Sequence, residues 1–132
     1  MSRLVKRWLE PFDWEIVTEI NRGLCKQKNA LHKPTSDGHE SAKSLWGKSQ
    51  DKDLTLTEAI NVCLKCHRLA PFCFYNGNTF AAIARDFIAE LSADLPADKA
   101  HVLRSIAGHI VAGTATNIER KQLDEILAEL SK

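Results

Sequence analysis

The sequence predicts an all-α fold, and three observations support this prediction. Apolar residues recur at spacings of three and four along most of the chain, which is the pattern of amphipathic helices. No convincing segment alternates apolar and polar residues with a period of two, as a half-buried strand does. Two capping-box motifs, Thr55 to Glu58 and Thr116 to Glu119, each stand directly before such a pattern. We therefore expect one domain over residues 1–132, built as an irregular bundle of about five helices.

Two helical segments are predicted in the first third of the chain. The first is a short amphipathic piece that stops at Pro11, because proline cannot continue a helix. Asp13 is then the expected N-cap of a longer helix that ends before Pro34. The apolar positions of the two segments are Leu4, Val5, Trp8 and Leu9, followed by Val17, Ile20, Leu24 and Leu31.

A change of composition follows the second helix. Residues 33–53 are polar and contain glycine and serine, and Leu45 and Trp46 are their only large apolar side chains. Such a composition is typical of a loop. We expect a long loop over 33–53 that is mobile except where Trp46 docks on the core.

Three further helices complete the predicted bundle. The Thr55 capping box opens a helix that runs until Pro71, and Asn78 or Thr79 caps the next one. Pro96 stands at the start of the fourth main helix and Gly113 at its end, in agreement with the usual positions of these residues. The Thr116 capping box opens the last helix.

Composition narrows the classes of function. The 132 residues are 44% hydrophobic and 27% charged, with a net charge of +1, so nothing points to a nucleic-acid partner. No segment approaches the ~18 consecutive apolar residues of a membrane span. The N-terminal residues lack the apolar core of a signal peptide, so we expect a cytoplasmic protein or a mature form whose leader has been removed.

The most conspicuous motif is Cys63-Leu64-Lys65-Cys66-His67. On a helix, Cys63 and His67 lie one turn apart on the same face as Ile60, so both are expected to point toward the core. The simplest interpretation is a pair of buried thiols and a buried imidazole, because cysteine behaves as a small hydrophobe.

Metal binding is the first chemical alternative for this motif. Zinc accepts thiolate and imidazole ligands, so Cys63, Cys66 and His67 are candidates, and Cys73 and Cys25 are candidates to complete the site. The same spacing attaches c-type haem. Covalent haem is the weaker hypothesis, because its attachment takes place outside the cytoplasm and Met1, the only methionine, leaves no axial methionine elsewhere.

A thiol oxidoreductase is the second alternative. Glu58, Cys63 and Cys66 loosely resemble the alkylhydroperoxidase D-like family, an all-α group with a glutamate, a C-x-x-C pair and a histidine four residues later. In this chain the fourth residue after Cys66 is Ala70, and the histidine follows the cysteine directly. The resemblance covers fewer than twenty residues and implies peroxide or disulfide chemistry at the two thiols.

The segment "FYNGNTF" is the remaining candidate. Asn76 and Gly77 are typical of a turn, and Asn78 or Thr79 of a helix N-cap. The same polar groups beside a helix N-terminus are able to hold an anion or a small ligand. Asn76, Asn78 and Thr79 are therefore the candidate ligand residues.

The sequence as a whole favours a non-enzymatic, regulatory module that binds another protein. Trp8 and Trp14 near the N-terminus, with Trp46 in the predicted loop, are the expected partner surface. The partner is not identified by any motif, and association with a second copy of the chain is an alternative.

Overall fold

The computed structural model describes residues 4–131, and it is mostly helical. The prediction of an all-α bundle is therefore confirmed. A two-stranded antiparallel ribbon and one 3-10 turn, Ser92–Asp94, accompany the helices. The elements in chain order are β1 Val5–Lys6, α1 Trp14–Gln27, α2 His39–Gln50, β2 Leu54–Thr55, α3 Leu56–Leu69, α4 Asn76–Ala89, α5 Ala97–Ala112 and α6 Asn117–Leu130.

The predicted capping residues open three of these helices. The Asp13 carboxylate accepts a hydrogen bond from the Ile16 amide at 2.9 Å at the start of α1. Thr55 opens α3 and Thr116 opens α6, each with both hydrogen bonds of the capping box. Each bond satisfies an amide that the helix itself leaves without a partner.

The prediction of a short helix before Pro11 is wrong. Val5 and Lys6 form β1, and Val5 pairs with Thr55 while Lys6 pairs with Leu54. A helix of six residues is not stable by itself in water, whereas pairing with β2 satisfies backbone groups of both segments. The segment still buries its apolar side chains, because Trp8 and Leu9 are among the least exposed residues of the core.

The predicted long loop over residues 33–53 is also wrong, because α2 occupies its second half. Ala42, Trp46 and Ser49 are buried at spacings of four and three, which is one narrow face of a helix. The Trp46 indole donates a hydrogen bond to the Phe12 carbonyl at 2.7 Å. Burial of one large side chain thus stabilises α2, although its polar composition is typical of a loop.

Helix α3 lies at the centre of the bundle and packs against α2, α4 and α5. The tryptophans join this core: Trp8 packs against Phe87 with 5.6 Å between ring centroids, and Trp46 against Phe80 with 5.7 Å. The exposed fraction is 2% for Trp8 and 0% for Trp46. The expectation that both contribute to a partner surface is therefore wrong, because folding already buries their indoles.

None of the helices within residues 4–131 has both the length and the apolar character that crossing a bilayer requires.

Candidate functional site at the junction of α1, α3 and α4

Cys63 and Cys66 lie inside the core, on the buried face of α3. Both side chains are 0% exposed, and the Cys66 thiol donates a weak hydrogen bond to the Ala42 carbonyl at 3.7 Å. Burial raises the pKa of Cys63 well above its usual value, and the neighbouring Cys66 thiol raises it further. Burial raises the pKa of Cys66 to about 12. Both groups are therefore held as neutral thiols at physiological pH.

His67 connects α3 to the end of α5. Its Nδ1 lies 2.7 Å from the Val111 carbonyl oxygen, and since a carbonyl only accepts, Nδ1 carries the proton. The other edge of the ring faces Gly77, where a Cβ atom would lie 3.2 Å from His67 Nε2. The ring is thus held between two helices by one hydrogen bond and one close contact.

The five predicted metal ligands are not brought together. Cys25 is buried on α1, whereas Cys73 is exposed in the segment after α3. Within residues 4–131, no three side chains among His, Cys, Asp and Glu are close enough to hold one metal ion. The zinc hypothesis therefore receives no support from the arrangement of its own candidate ligands.

A buried asparagine organises the junction instead. Asn21 on α1 is 0% exposed. Its Nδ2 donates to the Phe74 carbonyl at 2.8 Å and to the Thr79 hydroxyl at 3.0 Å. Its Oδ1 accepts from His32 Nδ1 at 2.8 Å and, more weakly, from the Cys25 thiol at 3.5 Å. All four hydrogen-bonding positions of the amide are therefore used inside the protein.

The two titratable members of this network respond to burial in opposite ways. Burial raises the pKa of the Cys25 thiol, and the nearby Cys73 thiol contributes in the same direction. Burial lowers the pKa of His32, as does the Arg22 guanidinium, while Glu19 partly offsets both effects. Both groups are therefore favoured in their neutral forms.

The polar turn that precedes α4 is held by its own side chains. The Asn76 amide accepts from the Phe72 backbone N–H at 2.9 Å and donates to the Phe72 carbonyl at 2.7 Å. The Thr79 hydroxyl donates to the Tyr75 carbonyl at 2.7 Å. Helix α4 begins at Asn76 with Tyr75 as its N-cap, so the prediction that Asn78 or Thr79 caps it is wrong. Of the three predicted ligand residues, the structure uses Asn76 and Thr79 internally and leaves Asn78 exposed.

Two connecting segments run side by side at this junction, residues 29–37 after α1 and residues 70–75 after α3. The Thr35 amide donates to the Pro71 carbonyl at 2.9 Å, and the Cys73 amide to the Lys33 carbonyl at 3.0 Å. Pro34 and Phe72 form an antiparallel bridge between these two bonds. We call residues 29–37 and 70–75 the paired segments.

The backbone of the paired segments is strained. Three residues other than glycine have positive φ in the described chain: Asn29 at 57°, Ala70 at 49° and Tyr75 at 62°. Asn29 begins the first paired segment, and Ala70 and Tyr75 delimit the second. The left-handed conformation costs alanine or tyrosine about 1–2 kcal/mol of free energy per residue. The surrounding contacts must therefore stabilise this conformation.

An aromatic cluster anchors the paired segments to α1 and α2. The Phe72 ring is 1% exposed and stacks on Trp14 with 5.9 Å between centroids. Two imidazoles flank the same ring, His32 at 5.6 Å and His39 at 5.8 Å. The Trp14 indole N–H donates to His39 Nε2 at 3.2 Å. Trp14, predicted as a partner residue, is thus engaged in internal packing.

The paired segments carry exposed apolar and basic side chains. Leu31 is 61% exposed and Phe74 is 49% exposed, and Cys73 is also exposed. Lys33 lines a shallow cleft with Cys73. We call Leu31, Lys33, Cys73 and Phe74 the junction patch. The sequence did not indicate this patch, because Leu31 continues the apolar stripe predicted for the second helix and no local pattern marks Phe74 as exposed.

Comparisons with known proteins add no relative to this description. No protein-family model, no curated protein and no solved structure matches the chain.

Proposed function

We propose that this chain is a non-catalytic, regulatory binding module that recognises an acidic protein segment at the junction patch. The observation that carries the proposal is the exposure of Leu31 and Phe74 on two segments that are hydrogen-bonded to each other. Full burial of a leucine or phenylalanine side chain stabilises a folded protein by about 1.5–3 kcal/mol. Because Leu31 and Phe74 remain exposed, the fold does not gain this full stabilisation at either position.

The hydrogen bonds that hold the patch support binding rather than incidental exposure. Phe74 belongs to the segment that the Asn21 amide holds through the Phe74 carbonyl, and Leu31 precedes His32, which bonds to the same amide. A surface that is already ordered loses little conformational entropy when a partner binds. Backbone strain beside it, at Tyr75, is typical of segments that present side chains to a ligand.

The charge around the patch indicates the kind of partner. Lys26, Lys28 and Lys33 are exposed and lie within five residues of Leu31 along the chain. Among the residues that the structure describes, none of these lysines takes part in an ion pair. An acidic segment with one or two apolar side chains would complement both features of the surface, the charge and the exposed apolar area.

No comparable observation supports the thiol oxidoreductase alternative. Cys63 and Cys66 are buried and are held as neutral thiols, whereas reactive cysteines are partly exposed and have lowered pKa values. The zinc alternative likewise lacks an assembled ligand set within residues 4–131. We therefore carry neither alternative further.

Quantitative capture tests the proposal. Immobilised protein is incubated with extract of its source organism, and retained proteins are quantified by mass spectrometry. We expect the double variant Leu31→Ser/Phe74→Ser to lose at least about 90% of a specific partner, the loss that about 1.4 kcal/mol produces. Ile118→Ser is the matched control, since Ile118 is 74% exposed on α6. Equal retention by the double variant, or loss of the same partner by the control, would overturn the proposal.

A further inference from the structure

The groove between α4 and α5 carries a second surface that shares no residue with the junction patch. Gly108 on α5 is buried beneath Arg85 of α4: a Cβ atom at Gly108 would lie 2.9 Å from Arg85 Nη2. The absence of a side chain at Gly108 therefore lets the guanidinium lie across the groove, against the backbone of α5.

A second arginine lies close to the first. Arg104 precedes Gly108 by four residues, so the two positions are neighbours on one face of α5, about 5–6 Å apart. His101 stands one turn earlier on that face. A cleft is lined by Arg85, His101, Arg104 and Ser105, and Arg85 also lines the adjoining cleft with Asn78 and His109.

The charge of this groove is not neutralised from within the chain. In the part of the protein that the structure describes, neither Arg85 nor Arg104 forms an ion pair. Among residues 4–131, no aspartate or glutamate lines either cleft. His109, which lines the adjoining cleft, is paired with another group: its Nδ1 lies 2.5 Å from the Glu119 carboxylate. Two exposed guanidinium groups thus line one cleft, and no acidic side chain of the described residues pairs with either of them.

We propose that the α4–α5 groove is a binding site for a dianionic phosphoryl group. A guanidinium presents N–H donors in a planar fork that matches phosphate oxygens, and two of them balance the two charges of the anion. The Ser105 hydroxyl adds a donor that can rotate toward a third oxygen. The inference goes beyond the proposed protein-binding function and does not depend on it.

Titration calorimetry at low salt tests this site on the intact chain. The probes are inorganic phosphate, glycerol 3-phosphate and malonate, each added separately. We expect saturable binding of one phosphate or phosphate ester per chain. Equal affinity for the first two assigns the free anion as ligand, and tighter binding of the ester assigns a phosphate monoester. No saturation up to about 10 mM, or tighter binding of malonate, would overturn the proposal.

Variants show whether the groove is the site that the calorimeter measures. Arg85→Gln and Arg104→Gln should each weaken binding about tenfold or more, because each removes a charge-assisted pair of hydrogen bonds. Arg85→Lys keeps the charge but removes the fork, so it should weaken binding as well. The double variant Lys43→Gln/Lys48→Gln removes two positive charges from exposed lysines on α2, twice the charge lost in each single arginine-to-glutamine variant, and should leave affinity within about twofold. Equal loss in this control would refute the site.

Discussion

The side-chain amide of Asn21 donates a hydrogen bond to the Thr79 hydroxyl at 3.0 Å and thereby joins α1 to α4 inside the protein. The two residues are 58 positions apart in the sequence. The same amide fixes the Phe74 carbonyl and the His32 ring, so one buried side chain determines how the paired segments lie on the bundle. The junction patch is displayed by this network.

The first prediction concerns the stability that Asn21 provides. Asn21→Leu removes the hydrogen bonds that the amide makes to the Phe74 carbonyl, the Thr79 hydroxyl and the His32 ring. We expect the free energy of unfolding to fall by about 2–4 kcal/mol in chemical denaturation. Asn78→Ala, an exposed asparagine 57 positions later, should change it by no more than about 0.5 kcal/mol. A loss below about 1 kcal/mol for Asn21→Leu would contradict the role of the network.

The second prediction separates the glycines by what surrounds them. A Cβ atom at Gly23 or Gly47 meets nothing within 4 Å, and both lie inside helices. Gly23→Ala and Gly47→Ala should each raise the free energy of unfolding by about 0.5–1 kcal/mol, since alanine favours the helix.

Gly38 is the contrasting position in the same series. It precedes α2, and a Cβ atom there would collide with the Leu69 carbonyl oxygen at the end of α3. Gly38→Ala should lower the free energy of unfolding by about 1–3 kcal/mol, measured by the same denaturation. A neutral effect would show that α2 does not approach α3 as closely as the structure indicates.

The third prediction distinguishes the four cysteines by reactivity. Cys73 is exposed, whereas Cys25, Cys63 and Cys66 are buried and have raised pKa values. In the native protein at neutral pH, an aromatic disulfide reagent should modify one thiol rapidly, and denaturant should release the other three. Cys73→Ser should abolish the rapid phase. Rapid modification of Cys63 or Cys66 would instead favour the oxidoreductase alternative.

The fourth prediction follows from the lowered pKa of His32. The unfolded chain binds a proton at His32 near pH 6.5, and the folded protein only at lower pH. His32 therefore favours folding fully above pH 6.5, and this contribution is lost as the pH falls toward its folded pKa. The free energy of unfolding should decrease between pH 7.5 and pH 5.5, above the range in which most carboxylates titrate. His32→Gln should reduce that decrease, and an identical decrease in the variant would contradict the assignment.

Local signals in the sequence were sufficient for much of the fold. The starts of α1, α3 and α6 follow from Asp13, Thr55 and Thr116, because capping is decided by residues within one turn. Helix α2 was not predictable in this way. Its buried face consists of Ala42, Trp46 and Ser49, and packing against α3 distinguishes it from a polar loop.

The site was less predictable than the fold. The inward orientation of Cys63 follows from helical periodicity, but Asn21 carries no sequence signal, because its partners Phe74 and Thr79 are more than fifty residues away. Tyr75 as an N-cap with positive φ contradicts local preference and is maintained by the Asn76 and Thr79 side chains. The arrangement of the site residues is therefore determined by contacts between residues distant in sequence, which local sequence patterns do not reveal.

Site-specific photo-cross-linking tests the central claim most directly. Benzoylphenylalanine replaces Phe74 in one variant and Ile118 in a matched control, because both positions are exposed and apolar. After irradiation in extract, we expect a cross-linked protein from position 74 and not from position 118, with the attached peptide rich in aspartate and glutamate. No product at position 74, the same product at both positions, or a product with only a second copy of this chain would contradict the proposed function.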